Sequence, residues 1–108
     1  MSFFYWLACE LAVSLSKYAG EPDALKIFSD FVDGYAVHGR LNEREISCVP
    51  DLIILRILSN VVYFVGRAIA GEDSIDSLTT RAEMYYNRIQ WIKQNQDKII
   101  NICSQIKS

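Results

Sequence analysis

The sequence predicts an all-α fold, a single-domain bundle of about five to six helices. Apolar residues recur at intervals of three and four along most of the chain, which is the helical period. Proline occurs twice and glycine five times in 108 residues, so interruptions are few. No segment alternates apolar and polar residues between turn signals, as a half-buried strand would. We therefore expect one helical domain over residues 1–108.

The first two helices are predicted on either side of Gly20. Glycine suits the left-handed residue that ends a helix, and Pro22 cannot continue one but can start the next. The first helix is expected over residues 3–18 and the second from Pro22 to about Gly39. Their predicted core residues are Phe4, Leu7, Leu11, Leu15 and Tyr18, then Ala24, Phe28, Phe31 and Tyr35.

Asn42 is predicted to begin a short third helix. Its side chain can accept from the amide of Glu45, whose carboxylate can bond back to the Asn42 amide, an arrangement known as a capping box. Pro50 is expected to end this helix and to begin the fourth, because proline is unfavourable inside a helix and favourable in its first turn.

The fourth helix, near residues 51–70, is apolar around most of its circumference and is therefore predicted to be the central, buried helix. Its apolar residues form one stripe of Leu55, Leu58, Val62, Val65 and Ile69 and another of Ile54, Ile57, Val61, Phe64 and Ala68. The segment is long enough to span a bilayer, but Arg56 and Arg67 would each cost about 2.5–3.5 kcal/mol near the membrane centre. We expect a bundle helix and no membrane partner.

Gly71 is predicted to end the central helix, and the turn that follows leads into a fifth helix over residues 76–94. Its expected core residues are Leu78, Ala82, Tyr85, Ile89 and Ile92. Asn95 and Gln96 mark a bend before a last apolar stretch that contains Ile99, Ile102, Cys103 and Ile106.

Composition excludes several function classes. The net charge is −2 and the 11 basic residues are scattered among 13 acidic ones, so no basic stripe for a nucleic acid is expected. Cys9, Cys48 and Cys103 lie far apart, without the spacing of a metal site, and His38 is not placed to complete one. We expect free thiols in a reducing cytoplasm, no metal and no cofactor.

His38, Gly39 and Asn42 look at first like the start of a kinase-type catalytic loop. Such a loop needs a carboxylate to position the acceptor hydroxyl and an asparagine to hold a metal. Here Arg40 stands where the carboxylate would be, and Asn42 already fits a helix cap. The sequence also has no glycine-rich phosphate loop. We therefore predict a connecting loop and no catalytic residue.

Four polar residues within apolar helices are predicted to form a structural polar core: Glu10, Arg56, Asn60 and Arg67. A buried charge has to be paired or neutralised. We therefore expect Glu10 to pair with Arg56 or Arg67, and Glu10→Gln to lower stability.

Three stretches, ELAVSLSKYAGEP, FVDGYA and LRILSNVVYFVGRAIAGEDSIDSLTTRAEMYYNRIQWI, carry a resemblance to a known family. Over about residues 7–95 the chain resembles the C-terminal helical subdomain of the aminoglycoside phosphotransferase and choline kinase-like family of small-molecule kinases. The resemblance implies that the chain begins just after the catalytic core of such a kinase, so no catalytic role carries over. Glu10, Arg56, Asn60 and Tyr63 would be scaffold positions.

A subdomain without its core exposes the face that the core would cover, and large apolar patches are rarely left in water. The first helix is the expected face, with Phe3, Phe4, Trp6 and Leu7 as the interface of a two-fold dimer. The expected function is a non-catalytic, self-associating helical domain. Two alternatives stay open: one half of a split phosphotransferase completed by a separate kinase-like chain, or a helical protein-interaction adaptor.

Overall fold

The described part of the chain folds as five α-helices followed by one 3₁₀ turn. This computed structural model describes the backbone of residues 3–37 and 39–106 and the side chains of residues 7–37 and 39–106. The helices are α1 (Phe3–Ser16), α2 (Ala24–Tyr35), α3 (Glu43–Ile69), α4 (Ile75–Gln94) and α5 (Gln96–Cys103), and the 3₁₀ turn is Ser104–Ile106. The all-α fold class predicted from the sequence is confirmed.

The core lies at one end of the molecule, where α1, α2, α5 and the first half of α3 meet. The stripe predicted for α1 is confirmed at Leu7, Leu11 and Leu15, which are fully buried. Tyr18 is partly buried, and the side chain of Phe4 lies outside the described residues. Phe28 of α2 packs edge-on against Trp91 of α4, with ring centroids 5.6 Å apart. The C-terminal half of α4 thereby closes the core from the side.

Two helix ends form as their local sequence predicts. The Asn42 Oδ1 accepts from the Glu45 amide at 2.8 Å, and the Glu45 Oε1 accepts from the Asn42 amide at 2.9 Å. At the other end of α3, Gly71 has φ 78°. The Gly71 amide donates to the Ala68 carbonyl and the Glu72 amide to the Arg67 carbonyl, which together make a Schellman motif.

The predicted break at Pro50 is wrong, because α3 runs without interruption from Glu43 to Ile69. Proline removes one hydrogen bond inside a helix and costs about 3 kcal/mol or more. Here Pro50 is buried on the same side of α3 as four other core residues, Ile46, Val49, Ile53 and Ile57. Burial of this continuous face on both sides of the proline offsets the lost bond.

The prediction that the central helix is buried along its length is also wrong. The buried residues of α3 end at Ile57. Beyond that point α3 packs on one side against α4, where Phe64 stacks on Tyr85 with ring centroids 6.2 Å apart. The outer half of α3 and the first half of α4 thus form a two-helix arm, which contributes to an elongated shape of 47 × 31 × 20 Å.

The remaining boundaries differ little from those expected. α2 begins at Ala24, two residues after Pro22, and the chain from Gly20 to Asp23 forms the turn. The bend after α4 is confirmed at Asn95, whose side-chain amide donates to the Trp91 carbonyl at 2.9 Å. Beyond it, Ile99, Cys103 and Ile106 are buried, as predicted.

Candidate interaction surface

The polar core predicted around Glu10 does not form. Glu10 and Arg56 are exposed, and Asn60 and Arg67 are only partly buried. Glu10 is exposed at the edge of the buried face of α1, so its carboxylate needs no buried partner. The pairing of Glu10 with Arg56 or Arg67 is therefore wrong, and the loss of stability expected from Glu10→Gln no longer has a basis.

Arg67 instead holds the turn that follows its own helix. Its Nε donates to the Asp73 Oδ2 at 2.7 Å, and its Nη1 lies 3.3 Å from the Glu72 Oε2. The guanidinium also lies 6.0 Å from the centroid of the Tyr63 ring. The hydrogen bond from Arg67 lowers the pKa of Asp73, and the same bond raises the pKa of Arg67. The Schellman turn at Gly71 brings these side chains together, so the cluster is a local clamp on the α3–α4 turn.

This clamp makes a prediction about pH. The Asp73 pKa lies below its ordinary value of 3.8, so the carboxylate stabilises the fold above about pH 4 and stops doing so as the pH falls through its folded pKa. We expect Asp73→Asn to lower the melting temperature at pH 7, and the difference between the two proteins to shrink as the pH is lowered below 3.8 through the folded pKa of Asp73. Circular dichroism melting from pH 7 into this acidic range measures it, with Glu72→Gln as the more exposed control. A difference that stays the same however far the pH is lowered below 3.8 would contradict an electrostatic role.

The loop around residues 38–42 is fastened to the C-terminal turn. The Arg40 Nη1 donates to the Gln105 carbonyl at 3.1 Å, and the Leu41 amide donates to the Ile106 carbonyl at 2.9 Å. Asn42 is engaged as the α3 cap, and His38 lies outside the described residues. The described part of this loop therefore connects α2 to α3 and ties both to the chain's last turn.

The described residues contain no convergent group of three or more His, Cys, Asp or Glu side chains. An open groove of about 690 Å³ lies between the Gly20 turn and α4, lined among others by Glu21, Glu83, Arg88 and Trp91. Its lining has acidic and basic side chains at the surface but no thiol or imidazole. This groove offers no activated nucleophile of the kind that a neighbouring base or a lowered pKa produces.

The most distinctive surface is an apolar stripe on α3, hereafter the outer stripe. Its members are Leu55, Leu58, Val62, Val65 and Ile69, with exposed fractions of 59, 45, 71, 37 and 83 %. They follow one another at intervals of three, four, three and four residues, so they lie in one row on the side of α3 that faces away from the core. Apolar rows with this spacing are the contact faces of paired helices.

The outer stripe has the anatomy of an interface. Ser59 and Gly66 flank it, and a Cβ atom added at Gly66 would meet nothing within 4 Å, so another backbone could approach closely. Charged residues lie at its two ends, Asp51 before it and Glu72 after it. An apolar centre with charged residues at its ends is typical of a protein-binding surface.

A small cavity of about 180 Å³ adjoins the outer stripe. It lies between α1 and α3 and is lined by Cys9, Val13, Leu52, Leu55, Arg56 and Ser59. Because Leu55 belongs to both, the stripe and the cavity form one continuous surface. The cavity is mostly apolar and large enough for an aliphatic side chain.

The interface predicted on α1 is not supported where it can be examined. Leu7 is fully buried in the chain's own core and has no surface left for a partner. The side chains of Phe3, Phe4 and Trp6 lie outside the described residues. The longest row of exposed apolar side chains among the described residues lies on α3 instead.

α3 is the one described helix that is long and apolar enough to cross a membrane, by length and composition only, and 22 % of its apolar window is buried within the chain. Its first half, however, is packed against α1 and α5. The apolar residues in the first half of α3 therefore belong to the core, and those of the outer stripe in its second half are exposed on the two-helix arm.

The sequence did contain a signal for the outer stripe. The spacing of three and four residues from Leu55 to Ile69 indicates one apolar row, but the sequence predicts that this row is buried because the opposite row of α3 is apolar as well.

Comparison of the chain with protein-family models, with curated proteins and with solved structures finds no match.

Proposed function

We propose that this chain is a non-catalytic helical domain that functions by self-association through the outer stripe. The observation that carries the proposal is the exposure of five apolar side chains in one helical row on α3. Fully burying one such side chain is worth about 1.5–3 kcal/mol, so covering the row would favour association even though each residue is only partly exposed.

A second protein surface suits this row better than a lipid surface does. Interfacial helices combine a broad apolar face with flanking lysine and arginine that attract anionic lipid. The outer half of α3 carries Arg56 and Arg67 only, and Glu72 and Asp73 offset the charge of Arg67. A narrow row with small flanking residues matches a partner helix.

Sedimentation velocity across a hundredfold range of micromolar concentration tests the proposal. The wild-type chain is expected to dimerise, and Val62→Glu is expected to remain monomeric because it places a charge in the middle of the apolar contact. Val37→Glu is the control, since Val37 is 82 % exposed but belongs to the turn after α2. A wild-type chain that stays monomeric and binds neutral phosphatidylcholine vesicles would overturn the proposal in favour of a membrane.

A kinase-like core is the second candidate occupant. The outer stripe lies within the segment from Leu55 to Ile92 that carries the resemblance to the helical subdomain of small-molecule kinases. A split phosphotransferase would use the same row to hold its missing core. Purification from native cells distinguishes the two, because a split enzyme would bring with it a chain that contains a glycine-rich loop and a catalytic aspartate.

A further inference from the structure

The two-helix arm carries exposed apolar side chains on α4 as well as on α3. On α4, Ile75 and Tyr86 are 76 and 62 % exposed. Their separation along the sequence is close to three helical turns, so they lie in one row. Ala82 lies between them in the same row and is exposed as well. These three residues are hereafter the α4 row.

The α4 row lies on the same side of the arm as the outer stripe. The other side is marked by Arg67 and Arg81, which both lower the pKa of Asp73. At about 100° per residue, Val65 lies about 160° around α3 from Arg67, and Tyr86 lies about 140° around α4 from Arg81. Both rows therefore point away from the arginine side of the arm.

The two rows also lie side by side. Phe64 of α3 stacks on Tyr85 of α4, and the short turn after α3 makes the two helices antiparallel. Val62 and Tyr86 are therefore about level along the arm. None of the residues in the two rows is charged. The outer stripe and the α4 row together form one apolar face, which extends across both helices.

The width of this apolar face indicates what covers it. A helix with its side chains is about 10–12 Å across, and the axes of packed helices lie about 8–10 Å apart, so the face is nearly two helices wide. A single partner helix would leave one of the two rows exposed. A pair of helices with one apolar side covers both rows, and the arm of a second copy is such a pair.

The cations of the arm lie away from the apolar face. Each of three guanidinium groups lies within 6.0 Å of the centroid of an aromatic ring, in the pairs Arg67–Tyr63, Arg81–Phe64 and Arg88–Tyr85. They are therefore not placed beside the apolar face, where an anionic lipid surface would need them. An uncharged face needs an equally apolar partner, and in a two-fold dimer the same face of a second copy supplies it.

We propose that the arm is half of a four-helix bundle, which the arm of a second copy completes by covering both the outer stripe and the α4 row. This inference rests on the self-association proposed above and adds α4 to its surface. Helices in such a bundle surround one apolar core. Because each copy covers the apolar face of the other, the contact closes at a dimer.

Truncation of a tyrosine on each side of the arm tests the inference. Tyr86 and Tyr63 are a matched pair, since they are 62 and 60 % exposed, but Tyr63 lies beside Arg67 on the other side of the arm. Tyr86→Ala is expected to raise the dissociation constant of the dimer at least about tenfold, as loss of a central interface tyrosine does. Tyr63→Ala is expected to leave it within about twofold. Sedimentation equilibrium measures both constants.

A charge placed on the α4 row provides a second test. Ala82→Glu puts a carboxylate in the middle of the row and keeps a residue that favours the helix, so α4 itself should remain folded. Met84→Glu is the control, because Met84 lies two residues further on, about 160° around α4 from Ala82, and is also exposed. Ala82→Glu is expected to weaken the dimer at least about tenfold, whereas Met84→Glu is expected to leave it intact. Circular dichroism checks that both variants keep the helix content of the wild type.

The outcomes separate the four-helix contact from the association itself. If Tyr86→Ala and Ala82→Glu leave the dimer as tight as the wild type while Val62→Glu is monomeric, α3 pairs alone; this overturns the present inference and leaves self-association standing. Equal weakening by both members of either pair overturns it as well, because the effect would not depend on the apolar face. A wild-type chain that is monomeric overturns both proposals. Weakening by Tyr86→Ala and Ala82→Glu alone is the expected result.

Discussion

Phe28→Ala is expected to destabilise the chain by about 3–5 kcal/mol, which is the usual cost of removing a buried aromatic side chain and leaving a cavity. Phe28 is fully buried and is the largest such side chain in the core. Its ring packs edge-on against Trp91 at an interplanar angle of 79°, so the substitution also removes an aromatic contact between α2 and α4. A loss of this size is a large part of the stability of a domain of this length.

Phe31→Ala is the matched control for Phe28. Phe31 is only partly buried on the same helix, where its ring lies 5.4 Å from that of Tyr18. Its truncation is expected to cost clearly less, since part of its surface already contacts water. Urea unfolding followed by circular dichroism measures both at one protein concentration, because the proposed self-association would make the measured stability depend on concentration. Equal losses at Phe28 and Phe31 would contradict the assigned core.

Cys103 is expected to react with a disulfide reagent far more slowly than Cys48 in the folded chain. Burial raises the pKa of the Cys103 thiol from an ordinary 9.0 to about 12. The attacking species is the thiolate, so this rise in the pKa makes the reactive form of Cys103 much scarcer near neutral pH. Cys48 is exposed on α3, and Cys9 is partly buried beside the α1–α3 cavity.

Release of thionitrobenzoate from Ellman's reagent at pH 8 measures this difference. Cys48→Ser should remove the fast phase, whereas Cys103→Ser should leave it unchanged. In denaturant all three thiols should react at similar rates, because the cause of the slow reaction is burial in the fold. Rapid labelling of Cys103 in the folded chain would mean that α5 opens readily from the core.

The features encoded by short stretches of sequence were predicted correctly. The capping box at Asn42 needs only residues three positions apart, and Gly71 supplies a left-handed conformation that other residues adopt at a cost. The row Leu7, Leu11 and Leu15 is the only strongly apolar row that can be followed from residue 7 onward in α1, so its burial was unambiguous. In each case the deciding interactions lie within one or two helical turns.

The predictions that failed concern residues whose environment depends on distant parts of the chain. Proline is unfavourable inside a helix, which predicts a break at Pro50, but packing of Ile46 and Ile53 on the same core keeps α3 continuous. The apolar neighbours of Glu10 predict that it is buried, although it is exposed. The residues adjacent to Pro50 and Glu10 in the sequence do not determine either outcome.

The sequence by itself determined that this protein is helical, where most of its helices begin and end, and which rows of side chains are apolar. Only the tertiary structure decided which of the two apolar rows of α3 is covered, because burial depends on which helices are near enough to pack on it. α1, α4 and α5 cover the row that contains Ile57, and no described element of the chain covers the row centred on Val62. The spacing of apolar residues in the sequence does not show which row is covered, and the proposed function rests on the uncovered row.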